Sequence, residues 1–226
     1  MNRRVVVTGM GVISSLSNEV EDLWRRVCAG ESGIHHIKLF DVSDFKVKIG
    51  GDIHDWDPSV LLAAKDAKRI DRFSQFAMVA GASAIEDSGL DFSQEDTYRC
   101  GVILGSGIGG LNEMQEQVGR LRARGPDRVS AFTVPKMMIN AASGNLAIQY
   151  GLRGTCYAVA TACASATNAM GDALRAIRHG QCDVVVTGGS EAAFTQVALA
   201  AFQNCRALSM RNDDPAGASR PFDKNR

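Results

Sequence analysis

Features that would assign this 226-residue sequence to several common classes of protein are absent from it. The 25 basic residues are balanced by 25 acidic ones, so no net charge directs the chain towards nucleic acid or an anionic membrane. No apolar run approaches the roughly 20 residues that a transmembrane helix needs. The six cysteines form no CxxC pair, so the usual spacing of a zinc site is missing. We therefore expect no nucleic-acid partner, no membrane span and no metal.

The residues that are present are those of a globular protein with a substantial core. Hydrophobic side chains make up 45% of the sequence, and no low-complexity segment or short repeat interrupts it. The cysteines are scattered through a chain that is too large and too apolar to need disulfides. Free thiols and a reducing, cytoplasmic compartment are therefore expected.

Uniformly apolar, β-branched runs alternate with amphipathic runs along the chain. The first kind predicts strands buried on both faces, at residues 4–7, 100–104, 156–162 and 183–187. The second kind predicts helices, at residues 18–30, 71–89, 111–124, 138–150, 164–178 and 196–205. This alternation predicts an α/β fold whose mixed, mostly parallel sheet is packed between helices.

Two of these helices have apolar stripes whose direction can be predicted from their spacing. The helix at residues 18–30 should turn four side chains inward: Val20, Leu23, Trp24 and Val27. The helix at residues 164–178 should turn five inward: Ala166, Met170, Ala173, Leu174 and Ile177. Both stripes are expected to lie against the core.

A glycine-rich turn follows the predicted strand at residues 100–104. Its sequence GSGIGG places Gly105, Gly107 and Gly110 in the GxGxxG spacing that can bind a dinucleotide phosphate. The match is incomplete, because no acidic residue ends a following strand about 20 residues later. The favoured interpretation is a tight strand-to-helix turn, or a wall that lies close to a narrow substrate.

Cys163 follows the predicted strand at residues 156–162 and precedes a predicted helix. A thiol in this position feels the positive end of the helix dipole and the free N–H groups of the first turn, which favour the thiolate. The sharp bend is similar to a nucleophile elbow, with cysteine in place of serine. The alternative is a small buried thiol that packs a crowded turn.

A proton acceptor for this thiol is not evident in the sequence. Three of the four histidines, His35, His36 and His54, lie in an irregular polar stretch. His179 ends the predicted helix that Cys163 precedes, about 24 Å away at about 1.5 Å per residue. The residues alone thus predict an activated thiol without a partner base.

Six segments together carry a resemblance to a known family. They are RRVVVTGMGVIS, GSGIGG, YGLRGTCYAVATACASATNA, VVVTGGSEAA, ALS with RNDDP, and ASRPFDKNR. In this order and almost without gaps, they resemble the β-ketoacyl-acyl-carrier-protein synthases, the condensing enzymes of type II fatty-acid elongation. The block around Cys163 is the most specific of them. The resemblance implies a thiolase-like layered α/β fold, with residues 1–226 as the N-terminal ketosynthase domain.

The resemblance also implies a reaction. Cys163 would accept an acyl chain from acyl carrier protein as a thioester, and decarboxylated malonyl carrier protein would then attack that thioester. The products are CO₂ and a 3-oxoacyl chain lengthened by one two-carbon unit. No metal or redox cofactor takes part, because the phosphopantetheine arm of the carrier holds the substrate. The family works as a homodimer.

The family also uses catalytic groups that follow the matched segments in the chain. These are two histidines, a lysine and a glycine-rich loop that supplies the second oxyanion donor. We therefore expect that the C-terminal half of the enzyme is absent from this chain, and that the chain is inactive alone.

Further site residues are implied by the resemblance. Ile108 matches a residue at the base of the acyl pocket, and Phe202 matches an aromatic residue that lines it. The alternative for Ile108 is an ordinary core residue. Thr133 stands where several relatives carry a second aromatic side chain, so a chain-length preference is not implied.

A cationic surface is predicted on the segment AAKDAKR. Lys65, Lys68 and Arg69 are spaced i, i+3 and i+4, which places them on one face of a predicted helix. The family uses this region, together with a basic residue corresponding to Arg206, to dock the acidic acyl carrier protein. The alternative is a solvated helix face.

Two other functions are kept open. A thiolase relative would act on coenzyme A esters, although the block around Cys163 does not favour it. A chain-length-factor-like partner of a polyketide synthase would share the fold without catalysis. Such partners typically lack the nucleophile that this chain keeps at Cys163.

Overall fold

The computed structural model describes residues 3–224, which fall into two compact units. The first unit combines the chain up to Gly11 with Pro58–Ala193, and the second combines Val12–Asp57 with the chain from Phe194 onward. Eight α-helices occur in the described residues: α1 (Val20–Cys28), α2 (Ala64–Ala67), α3 (Arg72–Ser88), α4 (Leu111–Arg124), α5 (Thr133–Met137), α6 (Ala141–Tyr150), α7 (Ser165–Arg178) and α8 (Gln196–Asn204). The strands of the same residues are β1 (His35–His36), β2 (Ile49–Gly50), β3 (Cys100–Gly105), β4 (Cys156–Val159) and β5 (Val184–Gly189).

The first unit is built on a parallel sheet with β3 in the centre, β4 on one side and β5 on the other. Val102 of β3 pairs with Cys156 of β4 and with Val186 of β5. Every residue of β3 is buried, as expected for a parallel strand that is covered on both faces. The predicted α/β fold with a mostly parallel sheet between helices is confirmed.

Helix α7 covers this sheet at close range. Ile103 of β3 packs against three alanines of the helix, at positions 169, 173 and 176. The strand ends carry glycine where the helix begins: a Cβ atom on Gly105 would lie 2.2 Å from the carbonyl carbon of Ser165. Helix α6 contacts β3 and β4, and α3 packs against α6, so these two helices supply the second layer.

The stripe predicted for α7 is partly wrong. Ala173 is buried as predicted, but Met170 is 52% exposed, and the buried face runs through Ala169 and Ala176 instead. The reason is the short distance between helix and sheet, which only small side chains fit. Larger apolar residues are displaced to the flank of the helix.

The strand predicted at residues 4–7 is not formed in the described structure. Val6 is 64% exposed and Val7 is 81% exposed, although an apolar run of this kind predicts burial on both faces. The chain beyond it lies instead against α3, where a Cβ atom on Gly9 would be 2.1 Å from the carbonyl oxygen of Ala84. A β-branched run specifies a strand only where a neighbouring strand completes its ladder.

The second unit contains a small antiparallel pair, in which β1 and β2 are joined. Its core consists of buried residues from both stretches of the chain: Ile37, Val47, Ile49, Leu199 and Ala218. Helix α1 contributes no buried side chain. Trp24 is 69% exposed and Val27 is 50% exposed, so the inward stripe predicted for this helix is wrong. The spacing of apolar residues identifies an amphipathic helix, but it does not show that another part of the chain packs against the apolar face.

The remaining helix predictions agree with the structure to within a few residues. Helix α3 ends at Ser88, and its C-cap residue Gly89 has a φ of 68°, the left-handed conformation that glycine adopts after a helix end. Among residues 3–224, no helix has the length and hydropathy needed to cross a bilayer. The assignment of residues 1–226 to a single N-terminal domain stays a prediction.

The close contact between β3 and α7 predicts opposite effects for two glycine substitutions. Gly105→Ala should lower the free energy of unfolding by about 1–3 kcal/mol or more, because the new methyl group overlaps the backbone of Ser165. Gly171→Ala, within α7 and facing open space, should raise it by about 0.5–1 kcal/mol. Chemical denaturation measures both values, and equal effects of the two variants would contradict the packing described above.

Candidate active site

Five residues connect the end of β4 at Val159 to the start of α7 at Ser165. Within this connection Ala162 has a φ of +51°, in the left-handed region that a residue with a side chain rarely adopts. Cys163 follows directly, and Ala164 is the N-cap residue of the helix. The predicted elbow is therefore present, and α7 begins one residue later than expected.

Hydrogen bonds from the first turns of α7 stabilise the strained elbow. The buried Ser165 hydroxyl donates to the carbonyl oxygen of Ala162 at 2.6 Å and accepts from the backbone N–H of Thr161 at 2.9 Å. The side-chain amide of Asn168 donates to the Thr161 hydroxyl at 2.6 Å. These three residues were not singled out from the sequence, although their i, i+4, i+7 spacing is a signal that they could meet around the turn.

The Cys163 side chain is exposed, so the alternative of a small buried thiol is wrong. Cys100 on β3 and Cys182, two residues before β5, are in contrast buried. Burial raises the pKa of the Cys100 thiol, and desolvation likewise raises the pKa of Cys156. All six cysteines are free thiols. Of these thiols, only Cys163 lies on the elbow before α7.

The glycine-rich turn after β3 lies beside the elbow. A Cβ atom on Gly107 would be 3.4 Å from the carbonyl oxygen of Ala162. The turn is held by Glu191, which follows β5: its carboxylate accepts the N–H of Gly107 at 2.7 Å and the hydroxyl of Ser106 at 3.2 Å. The backbone N–H of Gly107, which a bound phosphate would need as a donor, is thus already hydrogen-bonded to the Glu191 carboxylate. This arrangement does not favour nucleotide binding. Glu191 was not predicted from the sequence.

Ile108 lies in this turn with 44% of its surface exposed, so it is not an ordinary core residue. The hydroxyl of Ser106 accepts the N–H of Gly109 at 3.0 Å and closes the turn around Ile108. Ile108 is therefore an apolar side chain presented to solvent, one residue from the contact between Gly107 and the elbow.

Within the first unit, the structure places no histidine beside Cys163 in the described residues. His179 is the C-cap residue of α7, at the end opposite to the elbow, as predicted. His35, His36 and His54 belong to the second unit, where the two ring nitrogens of His35 contact the backbone oxygens of His36 and Asp52 at 2.9 and 3.1 Å. Among residues 3–224, no group of three or more His, Cys, Asp or Glu side chains is arranged to hold a metal ion.

The cationic residues predicted for docking are exposed, but their helix is shorter than expected. Helix α2 ends at Ala67, so Lys65 lies within it, Lys68 is its C-cap and Arg69 lies beyond it. All three side chains are exposed. The guanidinium of Arg69 stacks over the ring of Phe132 at 5.1 Å.

The other two predicted site residues lie in the second unit. Phe202 is on α8 and is 46% exposed. Arg206 follows this helix with a φ of +57° and lines a groove of about 470 Å³, together with Leu208 and Arg220. Their side chains are accessible within that unit.

The first unit is thus an α/β unit that presents an exposed cysteine on a strained strand-to-helix elbow. The sequence matches the family model described as "Beta-ketoacyl synthase, N-terminal domain" over residues 2–225. The chain therefore belongs to the β-ketoacyl synthase family.

Curated relatives agree with this assignment. Proteins named 3-oxoacyl-[acyl-carrier-protein] synthase 2 from Synechocystis sp. and from Vibrio cholerae are each 44% identical over 224 residues, which is 99% of this chain. The protein of the same name from Staphylococcus aureus is 39% identical over the whole chain. The chain spans about half, 54%, of the length of each of these relatives.

Solved structures confirm the thiolase-like ketosynthase fold. A β-ketoacyl synthase from Burkholderia phymatum superposes over the whole chain with a TM-score of 0.86 at 27% identity, and the match covers 55% of that protein. A ketosynthase in complex with its type II polyketide acyl carrier protein superposes over 90% of this chain with a TM-score of 0.77 at 25% identity, and the match covers 55% of that structure's chain.

The different environments of the cysteines predict an order of alkylation. At neutral pH iodoacetamide should modify the native chain at Cys163, but should reach Cys100 and Cys182 only after unfolding, because both are buried. Cys156 should react more slowly than Cys163, because a raised pKa leaves less thiolate. Peptide mapping of timed samples measures this order. Modification of Cys100 before Cys163 in the folded chain would contradict the exposed elbow.

Proposed function

We propose that Cys163 is the nucleophile of a 3-oxoacyl-acyl-carrier-protein synthase, and that this chain carries the acyl-accepting part of the enzyme. The observation that carries the proposal is the exposed Cys163 on an elbow whose strained backbone is held by Ser165. Membership in the β-ketoacyl synthase family and the names of the relatives support it.

The proposed step is a transfer of an acyl group between two sulfur atoms. The Cys163 thiolate attacks the carbonyl carbon of an acyl thioester, and a new carbon–sulfur bond forms. The bond to the carrier sulfur breaks, and the released thiolate takes up a proton from water. No oxidant, reductant or metal is needed for this exchange, and the carrier's phosphopantetheine arm supplies the leaving sulfur.

The condensation that follows is proposed for the whole protein, since the chain spans about half the length of its curated relatives. Loss of CO₂ from a malonyl carrier thioester generates a carbanion. The carbanion attacks the Cys163 thioester, the Cys163 sulfur leaves as thiolate, and a 3-oxoacyl carrier thioester is released. This places the protein in fatty-acid elongation, as an acyltransferase.

Acyl carrier protein is the proposed partner. Carrier proteins of this kind are acidic, so the exposed charges of Lys65, Lys68 and Arg69 would attract one, with Arg206 as a further contact. One relative of known structure is a ketosynthase in complex with its acyl carrier protein. Ile108 and Phe202 are proposed to contact the acyl chain, because both expose apolar surface.

A homodimer and a cytoplasmic location complete the proposal. Among the described residues β4 is an edge strand of its sheet, and both Cys156 and Tyr157 on it are exposed. An exposed strand edge offers unpaired backbone groups to a second copy of the chain. The six free thiols are compatible with a reducing compartment.

Acyl transfer to the isolated chain tests the proposal, because this half-reaction uses the Cys163 thiolate, whereas the isolated chain is expected to be inactive in the condensation. After incubation with octanoyl acyl carrier protein, intact mass spectrometry should show one added octanoyl group on the native chain, but none on Cys163→Ala. Cys205→Ala, which removes another exposed thiol, should be acylated like the native chain. An adduct that persists in Cys163→Ala would contradict the assignment. No adduct on the native chain would favour a non-catalytic partner subunit instead.

Reversing the charges at the proposed docking surface should slow acylation only when the acyl donor is the carrier protein. Lys65→Glu combined with Lys68→Glu should reduce the rate of acylation from octanoyl acyl carrier protein by about tenfold or more at low salt, because like charges repel the carrier. The rate with octanoyl pantetheine, which has no acidic surface, should not change. Arg175→Glu combined with Arg178→Glu, which makes the same change of charge at the distant end of α7, is the matched control. Equal losses with both acyl donors would contradict carrier docking at these lysines.

A further inference from the structure

Three ionisable side chains form a buried cluster beneath the surface between the docking segment and the glycine-rich turn. Asp71 is 3% exposed and Glu113 is 1% exposed. The ammonium group of Lys136, whose side chain is 15% exposed, forms an ion pair with the Glu113 carboxylate. The cluster, Asp71–Glu113–Lys136, lies entirely within the first unit.

The cluster joins the ends of three helices. Asp71 caps α3 by accepting the N–H of Phe73 at 3.2 Å, and it also accepts the N–H of Glu113 at 3.0 Å. Glu113 lies in the first turn of α4, and its second carboxylate oxygen is 3.4 Å from the hydroxyl of Thr133 on α5. Lys136 is also on α5. The hydrogen bonds and the ion pair of the cluster thus connect three segments that are distant in sequence.

Helix α5 in turn fixes the glycine-rich turn. The N–H of Gly110 donates to the carbonyl oxygen of Met137 at 3.1 Å. A Cβ atom on Gly110 would lie 2.7 Å from the carbonyl oxygen of Lys136, and one on Gly109 would lie 2.8 Å from that of Met137. The turn that carries Ile108 therefore rests directly on the residues that the ion pair holds.

Moving α5 away from this position would break the ion pair. Glu113 would then be left as a buried charge without its partner, which is costly inside a protein. The turn at residues 105–110 is consequently held on one side by its contact with α5. Its front contacts the elbow, where Gly107 approaches the carbonyl oxygen of Ala162. Ile108 is held between these two contacts.

We propose that the Asp71–Glu113–Lys136 cluster is a positioning unit that fixes Ile108 beside the elbow and thereby limits the length of the acyl chain that Cys163 accepts. This inference rests on the proposed acyl transfer to Cys163. A hydrocarbon chain attached to Cys163 seeks apolar surface, and Ile108 is an exposed apolar side chain of the adjoining turn. If the turn that carries Ile108 is held in place, Ile108 blocks a long acyl chain. If the turn can move away, the long chain can be accommodated.

The test compares acylation of Cys163 by hexanoyl and palmitoyl acyl carrier protein in variants of the cluster. Lys136→Met should raise the palmitoyl-to-hexanoyl rate ratio by about tenfold, the discrimination that a methylene or two carries in an apolar pocket. The double variant Glu113→Leu with Lys136→Met removes both charges of the ion pair, and the Asp71 carboxylate keeps its hydrogen bonds from the backbone N–H groups of Phe73 and of position 113. It should therefore fold stably and show the same altered ratio. Glu116→Gln, which breaks an exposed ion pair with Arg120 one turn along α4, should leave the ratio unchanged.

Hydrogen exchange gives a readout that does not depend on acylation. The amide of Gly110 should exchange faster in both cluster variants than in the native chain, and it should be unaffected in Glu116→Gln. An unchanged rate ratio in the well-folded double variant would overturn the inference while leaving acyl transfer to Cys163 intact. A native chain that takes up neither acyl group would overturn the proposed function itself, and with it the limit on chain length.

Discussion

The close approach of α7 to the end of β3 is the constraint on which the site depends. The helix can begin so near the sheet because Gly105 has no side chain and because alanines form the buried face of α7. The chain leaving β4 must then enter the helix within five residues, and Ala162 adopts a φ of +51° to do so. This turn places Cys163 at the surface, although the strand before it lies in the sheet.

The sequence predicted correctly those helices and strands that are specified by a local pattern of apolar residues. Strand β3 and helices α4 and α8 were located to within one residue, since apolar runs and helical periodicity are local properties. The run at residues 4–7 and the stripe of α1 were misjudged, because their burial needs a covering surface. A pattern of apolar residues states that a face can be buried, but it does not supply the partner.

For the candidate active site, too, the local features could be predicted from the sequence and the long-range contacts could not. The elbow at Cys163 follows from a strand and a helix that meet, and both were visible in the sequence. The bond from Gly107 to Glu191 joins residues 84 positions apart, and the Asp71–Glu113–Lys136 cluster joins three segments. Such contacts arise only from packing, so residue types and spacing could not reveal them. They hold the glycine-rich turn from two sides, and the exposed thiol lies at the adjoining elbow.

The central claim is that the geometry of the elbow, and not exposure alone, makes Cys163 the acyl acceptor. Three other exposed thiols, Cys28, Cys156 and Cys205, compete within the same chain. Peptide-level mass spectrometry after a short incubation with limiting acyl carrier thioester measures this competition most directly. The account predicts the acyl group on the peptide that contains Cys163 alone. An acyl group distributed among the four exposed thiols in proportion to their accessibility would contradict it.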